Sequence, residues 1–81
     1  MKVLSLNLVP SGMPHKILEI KAGLEARKKL LSMGIHVGDS IIKLNHSRWS
    51  PVLLRNLTTH SSKIAIGQGL AKKILVGDEK L

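Results

Sequence analysis

The chain contains no cysteine, no tyrosine and no phenylalanine, and its single aromatic residue is Trp49. The lack of cysteine removes disulfides, thiolate nucleophiles and Cys-based zinc or iron–sulfur sites together, and fits a reducing compartment. The lack of aromatics means that the interior is filled by Leu, Ile, Val, Met and Ala, within a hydrophobic content of 43% over 81 residues. A chain of this length buries only about two-thirds of its unfolded surface. The core is therefore thin, and it leaves no room for a sizeable internal ligand cavity. No apolar run approaches the roughly 18 residues of a membrane span. Met1-Lys2-Val3-Leu4 runs into polar residues and Pro10 instead of a signal-peptide core, so the expected location is cytoplasmic. Acidic residues are scarce too. Five Asp and Glu stand against thirteen Lys and Arg, a formal charge of +8 that attracts acidic proteins, nucleic acid or an anionic membrane face alike. The carboxylates Glu19, Glu25, Asp39, Asp78 and Glu79 form no evident His–Ser or paired-carboxylate arrangement, so the chain reads as a non-enzyme without a cofactor.

What is present reads as one domain over residues 1–81, mainly β with one or two short helices. Leu4, Leu6, Leu8 and Val9 form an apolar lead-in to a turn at Pro10-Ser11-Gly12. A first strand is expected over Met13–Lys21, with either a bulge or burial on both faces where alternation breaks at Ile17-Leu18. A helix is expected from about Leu24 to Met33, with Leu24, Ala26, Leu30, Leu31 and Met33 on one half of the wheel. Gly34 and Ile35 supply a Schellman-type stop. After a Gly38-Asp39 turn, Ser40–His46, Val52–Leu57 and Ser62–Ile66 read as a three-strand meander. One helical turn over Leu70–Lys72 and a last strand over Lys73–Val76 complete a count of five strands. Such short strands expose edges unless the sheet closes into a barrel.

The stretch from Gly12 to Val76 resembles the FeoA family, small cytoplasmic proteins of bacterial ferrous iron uptake. The residues that carry the resemblance are Leu6, Gly12, the run Arg27-Lys28-Lys29-Leu30-Leu31-Ser32-Met33-Gly34-Ile35, Gly38, Ile64-Ala65-Ile66 and Ala71-Lys72-Lys73-Ile74-Leu75-Val76. The block from the helix to Gly38 is the most specific part. The resemblance implies a small SH3-like barrel and a role as accessory to the membrane GTPase that carries ferrous iron, FeoB, with any membrane contact made through that partner. Gly67 and Gly69 depart from the pattern, standing where the family often has a charged residue such as Arg and a Glu. Iron-dependent repressors carry a similar barrel after a DNA-binding helix-turn-helix domain, and no such segment is read in this sequence.

Four residues are candidates for partner binding: Arg27, Lys28, Lys29 and Trp49. Arg27 falls inside the apolar arc of the helix. Either its stem packs on the barrel with its head on loop carbonyls, or it presents its fork to a partner carboxylate. Lys28 and Lys29 read as a solvated helix face that steers docking. Trp49, in the loop His46-Ser47-Arg48-Trp49-Ser50-Pro51, is either a lid on one barrel end or a binding anchor. A proline-peptide groove is excluded because it needs several aromatics side by side. His15, His36, His46 and His60 show no paired helical spacing and no carboxylate set near them in sequence, so no metal site is expected. Gly67-Gln68-Gly69-Leu70-Ala71-Lys72 lacks the spacing of a phosphate loop, and its glycines are read as permitting a tight exit from the strand.

The leading functional expectation is an adaptor that docks on the transporter GTPase and affects its assembly or GTP cycle. The alternative is a nucleic-acid-binding small barrel, favoured by charge and opposed by the lone aromatic. A homo-oligomeric scaffold with an isologous apolar interface is a third class.

Overall fold

The computed structural model describes residues 2–46 and 48–78. The order is β1 (Val3–Ser5), a 3₁₀ turn (Leu6–Leu8), β2 (Pro14–Ile20), α1 (Leu24–Ser32), β3 (Ser40–Lys43), β4 (Val52–Asn56), β5 (Ile64–Ile66), α2 (Gln68–Ala71) and β6 (Ile74–Asp78). The strands form one antiparallel sheet in the order β1-β6-β2-β3-β4-β5. It wraps around one interior. Buried residues of five strands, α1, α2 and the 3₁₀ turn share a single cluster that includes Leu6, Ile17, Leu30, Ile41, Leu54, Ile66 and Val76. A flat sheet would not bring them together. The result is a small barrel whose ladder stays open between β1 and β5.

The local patterns explain most elements. In β4, Val52, Leu54 and Asn56 point inward while Leu53 and Arg55 point away. In β2 the register against β6 shifts between Ile17 and Glu19, which decides for a bulge at Leu18 over burial on both faces. Helix α1 ends as the sequence predicts. Gly34 takes φ +86°, its N–H donates to Leu31 O at 3.0 Å and that of Ile35 donates to Leu30 O at 3.0 Å. These are the two bonds of a Schellman motif, and Ile35 and Leu30 are both fully buried.

Four details differ from the expectation. The lead-in contains a sixth strand: Val3–Ser5 pairs with Leu75–Gly77 of β6, and three residues are too few to show a period of their own. Strand β3 stops at Lys43 because Asn45 takes over with its side chain, donating to Pro51 O at 2.9 Å and accepting from Leu53 N at 3.0 Å. Helix α1 turns only part of its apolar half inward: Leu30 is buried, Ala26 and Met33 are half-buried, and Leu24 and Leu31 stay exposed. A short helix lying against a curved sheet contacts it along a narrow stripe. Finally, Gly67 has φ −60°, neither Gly67 nor Gly69 has a positive φ, and a Cβ on either would meet nothing within 4 Å. The tight strand exit therefore does not require these glycines.

Candidate functional site

Strand β3 organises two polar regions at opposite ends, separated by about 13 Å of extended chain. At its beginning stands Asp39. Its Oδ2 accepts from Asn56 Nδ2 at 2.7 Å, from His36 Nδ1 at 2.9 Å and from the His36 backbone N–H at 3.1 Å. Asn56 is fully buried and also donates to Gly34 O at 2.8 Å, while its Oδ1 accepts from the N–H groups of Thr58 and Thr59. The cluster ties the end of α1 to β3 and β4. Burial pushes the Asp39 carboxyl up, but the hydrogen bonds from Asn56 and His36 and the charge of His36 outweigh it, and the carboxyl lies below its ordinary value of 3.8. The contact between His36 and Asp39 corrects the expectation that no carboxylate stands near a histidine. The two are three residues apart across the Val37-Gly38 turn, and that spacing was the available signal.

At the other end of β3, Ile41 and Lys43 both point inward. Lys43 is only 4% exposed, yet its ammonium reaches the barrel mouth and donates to Asn7 O at 2.9 Å and Val9 O at 3.1 Å. Burial lowers its pKa from the ordinary 10.5. No carboxylate pairs with it among the described residues. Above it opens a groove of about 580 Å³, lined by the turn Asn7–Pro10, Lys43, His46, Arg48, Trp49, Gln68 and Lys72. Gln68 Nε2 donates to Ser50 O at 2.7 Å and so joins α2 to the loop carrying Trp49. Trp49 is 93% exposed, so it is not a lid packed over the barrel end. Among the described residues the lining contains cations and apolar surface and no acidic side chain. Alternation over Ser40-Ile41-Ile42-Lys43 marks Lys43 as inward-facing, a signal the candidate list missed.

The basic helix presents a separate surface. Leu24, Arg27, Lys28 and Leu31 fall within an arc of about 100° at helical spacing. All four are exposed, the two leucines at 67% and 53%. Arg27 lies on the exposed flank of the apolar half, next to Leu31 and away from Leu30, and among the described residues no loop carbonyl accepts from its guanidinium, so of the two readings its head on loop carbonyls is not met. Lys29 is exposed on the other flank. No α1 residue lines the groove, so the structure separates Trp49 from Arg27, Lys28 and Lys29.

Compared with known proteins, residues 4–77 match the FeoA domain model. The chain belongs to the FeoA family. A Methanocaldococcus jannaschii protein provisionally named Fe(2+) transport protein A is 44% identical over 62 residues, covering 76% of this chain and 71% of that protein. The crystal structure of an iron uptake regulatory protein, FeoA, superposes with a TM-score of 0.84 at 30% identity, over 94% of this chain and 97% of that one. A manganese-dependent transcriptional repressor shares the fold at TM-score 0.83 and 15% identity, with 94% of this chain matching 41% of the repressor. The FeoA architecture is a small SH3-like barrel, and the six-stranded sheet described above is that barrel.

Seen on this FeoA fold, three residues of the helix block are structural: Leu30 enters the core, and Gly34 and Ile35 close the Schellman stop. The histidines do not converge. His15 is buried in β2 with Nδ1 donating to Met13 O at 3.0 Å, His36 meets Asp39, His46 lines the groove, and His60 occupies a turn at φ 56°. Among the described residues, no three His, Asp or Glu side chains are grouped to hold a metal ion, and no helix is long and apolar enough to cross a membrane.

Proposed function

We propose that this FeoA-family protein is a cytoplasmic accessory of ferrous iron transport that docks on the GTPase portion of the membrane iron transporter, FeoB, and affects its assembly or GTP cycle. Membership of a family whose relative is named for Fe(2+) transport supports the setting. The observation that carries the docking is the exposed face of α1, where Leu24 and Leu31 are flanked by Arg27 and Lys28. Apolar surface ringed by charge is the composition of an interface. Arg27 supplies a planar fork for a partner carboxylate, and Lys28 and Lys29 accelerate encounter with an acidic surface. The protein acts by contact and carries out no reaction of its own. It meets the membrane only through its partner.

Calorimetry with the cytoplasmic GTPase portion of the cognate transporter, at low and high salt, tests this. Saturable binding that salt weakens is expected. Leu24→Ala/Leu31→Ala should weaken it by about tenfold or more through lost anchors, and Lys28→Glu/Lys29→Glu should slow association and weaken the complex. No binding to the GTPase portion, with tight binding to an RNA oligonucleotide, would overturn the reading.

A further inference from the structure

The α1 face leaves the groove at the far end of β3 without a role. Three of its properties point to one kind of occupant. First, it holds a largely buried positive charge: Lys43 is only 4% exposed yet lines the groove, two of its three ammonium donors satisfy Asn7 O and Val9 O, and no carboxylate pairs with it among the described residues. A buried ammonium in this state is costly, and a ligand anion would relieve the cost. Second, Arg48 and Lys72 stand on the rim of the same groove, and among the described residues no acidic side chain lines it. Third, its remaining wall offers apolar contact. Leu8 is 67% exposed beside Pro10, and Trp49 is exposed more than any other large hydrophobic residue described.

We propose that this groove binds an extended acidic segment of a protein partner, with one carboxylate on the Lys43 ammonium and a neighbouring apolar side chain against Trp49 and Leu8. The occupant is read from charge and lining. A second copy of this chain, itself carrying +8, brings the wrong sign. A nucleic-acid strand would need successive stacking platforms, and the groove has one aromatic and an apolar wall. An acidic chain interspersed with apolar residues matches both the cations and the wall. The site is independent of whichever protein meets the α1 face.

Trp49 is the only tryptophan in a chain without tyrosine, so intrinsic fluorescence reports on this groove alone. The probe is a short capped peptide of alternating Glu and Leu, titrated beside its Gln–Leu counterpart and a single-stranded RNA oligonucleotide of equal charge. The acidic peptide should shift Trp49 emission to the blue and saturate, with salt weakening it, and the Gln–Leu peptide should bind at least about tenfold more weakly. Lys43→Met should weaken binding by about thirtyfold or more. If Lys43→Met fails to fold, Arg48→Gln/Lys72→Gln decides, with an expected loss of about two- to fivefold and a shallower salt dependence. Leu24→Ala/Leu31→Ala should bind the peptide as the native chain does, which separates this proposal from the docking of α1. An unshifted Trp49, equal binding of the Gln–Leu peptide, unchanged affinity in a folded Lys43→Met chain, or tighter binding of the RNA would each overturn it.

Discussion

At the residue scale the molecule is governed by a few polar side chains placed where the core would otherwise be apolar. Asn56 occupies the third inward position of β4 after Val52 and Leu54 and spends all its hydrogen-bonding capacity on Asp39, Gly34 and the Thr58-Thr59 turn. Burying such a group is tolerable only because it is satisfied. Asp39 depends on the same bonds. Because they hold its folded pKa below the ordinary 3.8, its ionised form contributes stability that is fully present above that value and is lost as pH falls through the folded pKa. Asp39→Asn should therefore be less stable than the native chain at neutral pH and converge toward it in strong acid, as urea midpoints measured from pH 7 down to about 2 would show. Equal acid sensitivity of both chains would remove Asp39 from this role. Lys43 shares the pH sense but not the charge: burial lowers its pKa, so the folded chain gives up a proton that the unfolded chain still holds, and stability rises as pH climbs through the folded value toward the ordinary 10.5.

At the element scale, two glycines separate what geometry demands from what it merely permits. Gly34 sits at φ +86° in the stop of α1, where a side chain is strained, whereas Gly69 lies exposed inside α2 with open space around its Cα. Gly34→Ala should cost about 1–2 kcal/mol. Gly69→Ala should gain about 0.4–1 kcal/mol by restricting the unfolded chain. Thermal or chemical denaturation of the pair checks both, and a shift of the same sign in the two variants would contradict the assignment. Helix α1 shows the same division. Its start, stop and buried Leu30 follow from spacing, but the half of its apolar arc left exposed follows from the curvature of the sheet beneath it.

At the scale of the whole molecule, the sheet order places β1 and β5 at the open ends of the ladder and β6, β2, β3 and β4 between two neighbours. Opening should therefore be local at the edges and global at the centre. Amide exchange measured by NMR should be slowest at Ile17, Ile41, Leu54 and Val76, which share the core, and faster in β1 and β5; uniform protection across all six strands would contradict this. The arrangement also sets the two candidate surfaces apart. The groove gathers the 3₁₀ turn, the end of β3, the Trp49 loop and α2, while α1 stands at the other end of β3. One small barrel thus offers two faces of similar charge and different shape.

The sequence alone determined the elements whose signals are local: the aliphatic interior, the break in alternation at Ile17-Leu18, the alternation of β4, the stop of α1 at Gly34-Ile35 and the run Arg27–Ile35 that marks the FeoA family. Periodicity reports how a segment turns toward its own neighbours, and in these places neighbour and core coincide. Only the tertiary structure decided that Val3–Ser5 is a strand, because its partner lies in β6. The same holds for Asn56 reaching Asp39 across 17 residues and Lys43 reaching Asn7 O across 36. It holds too for Trp49, which lines one groove with Leu8 and Lys72 and with no residue of α1. Contacts of that separation leave no local trace, since barrel closure, and not the order of residues along the chain, makes them neighbours.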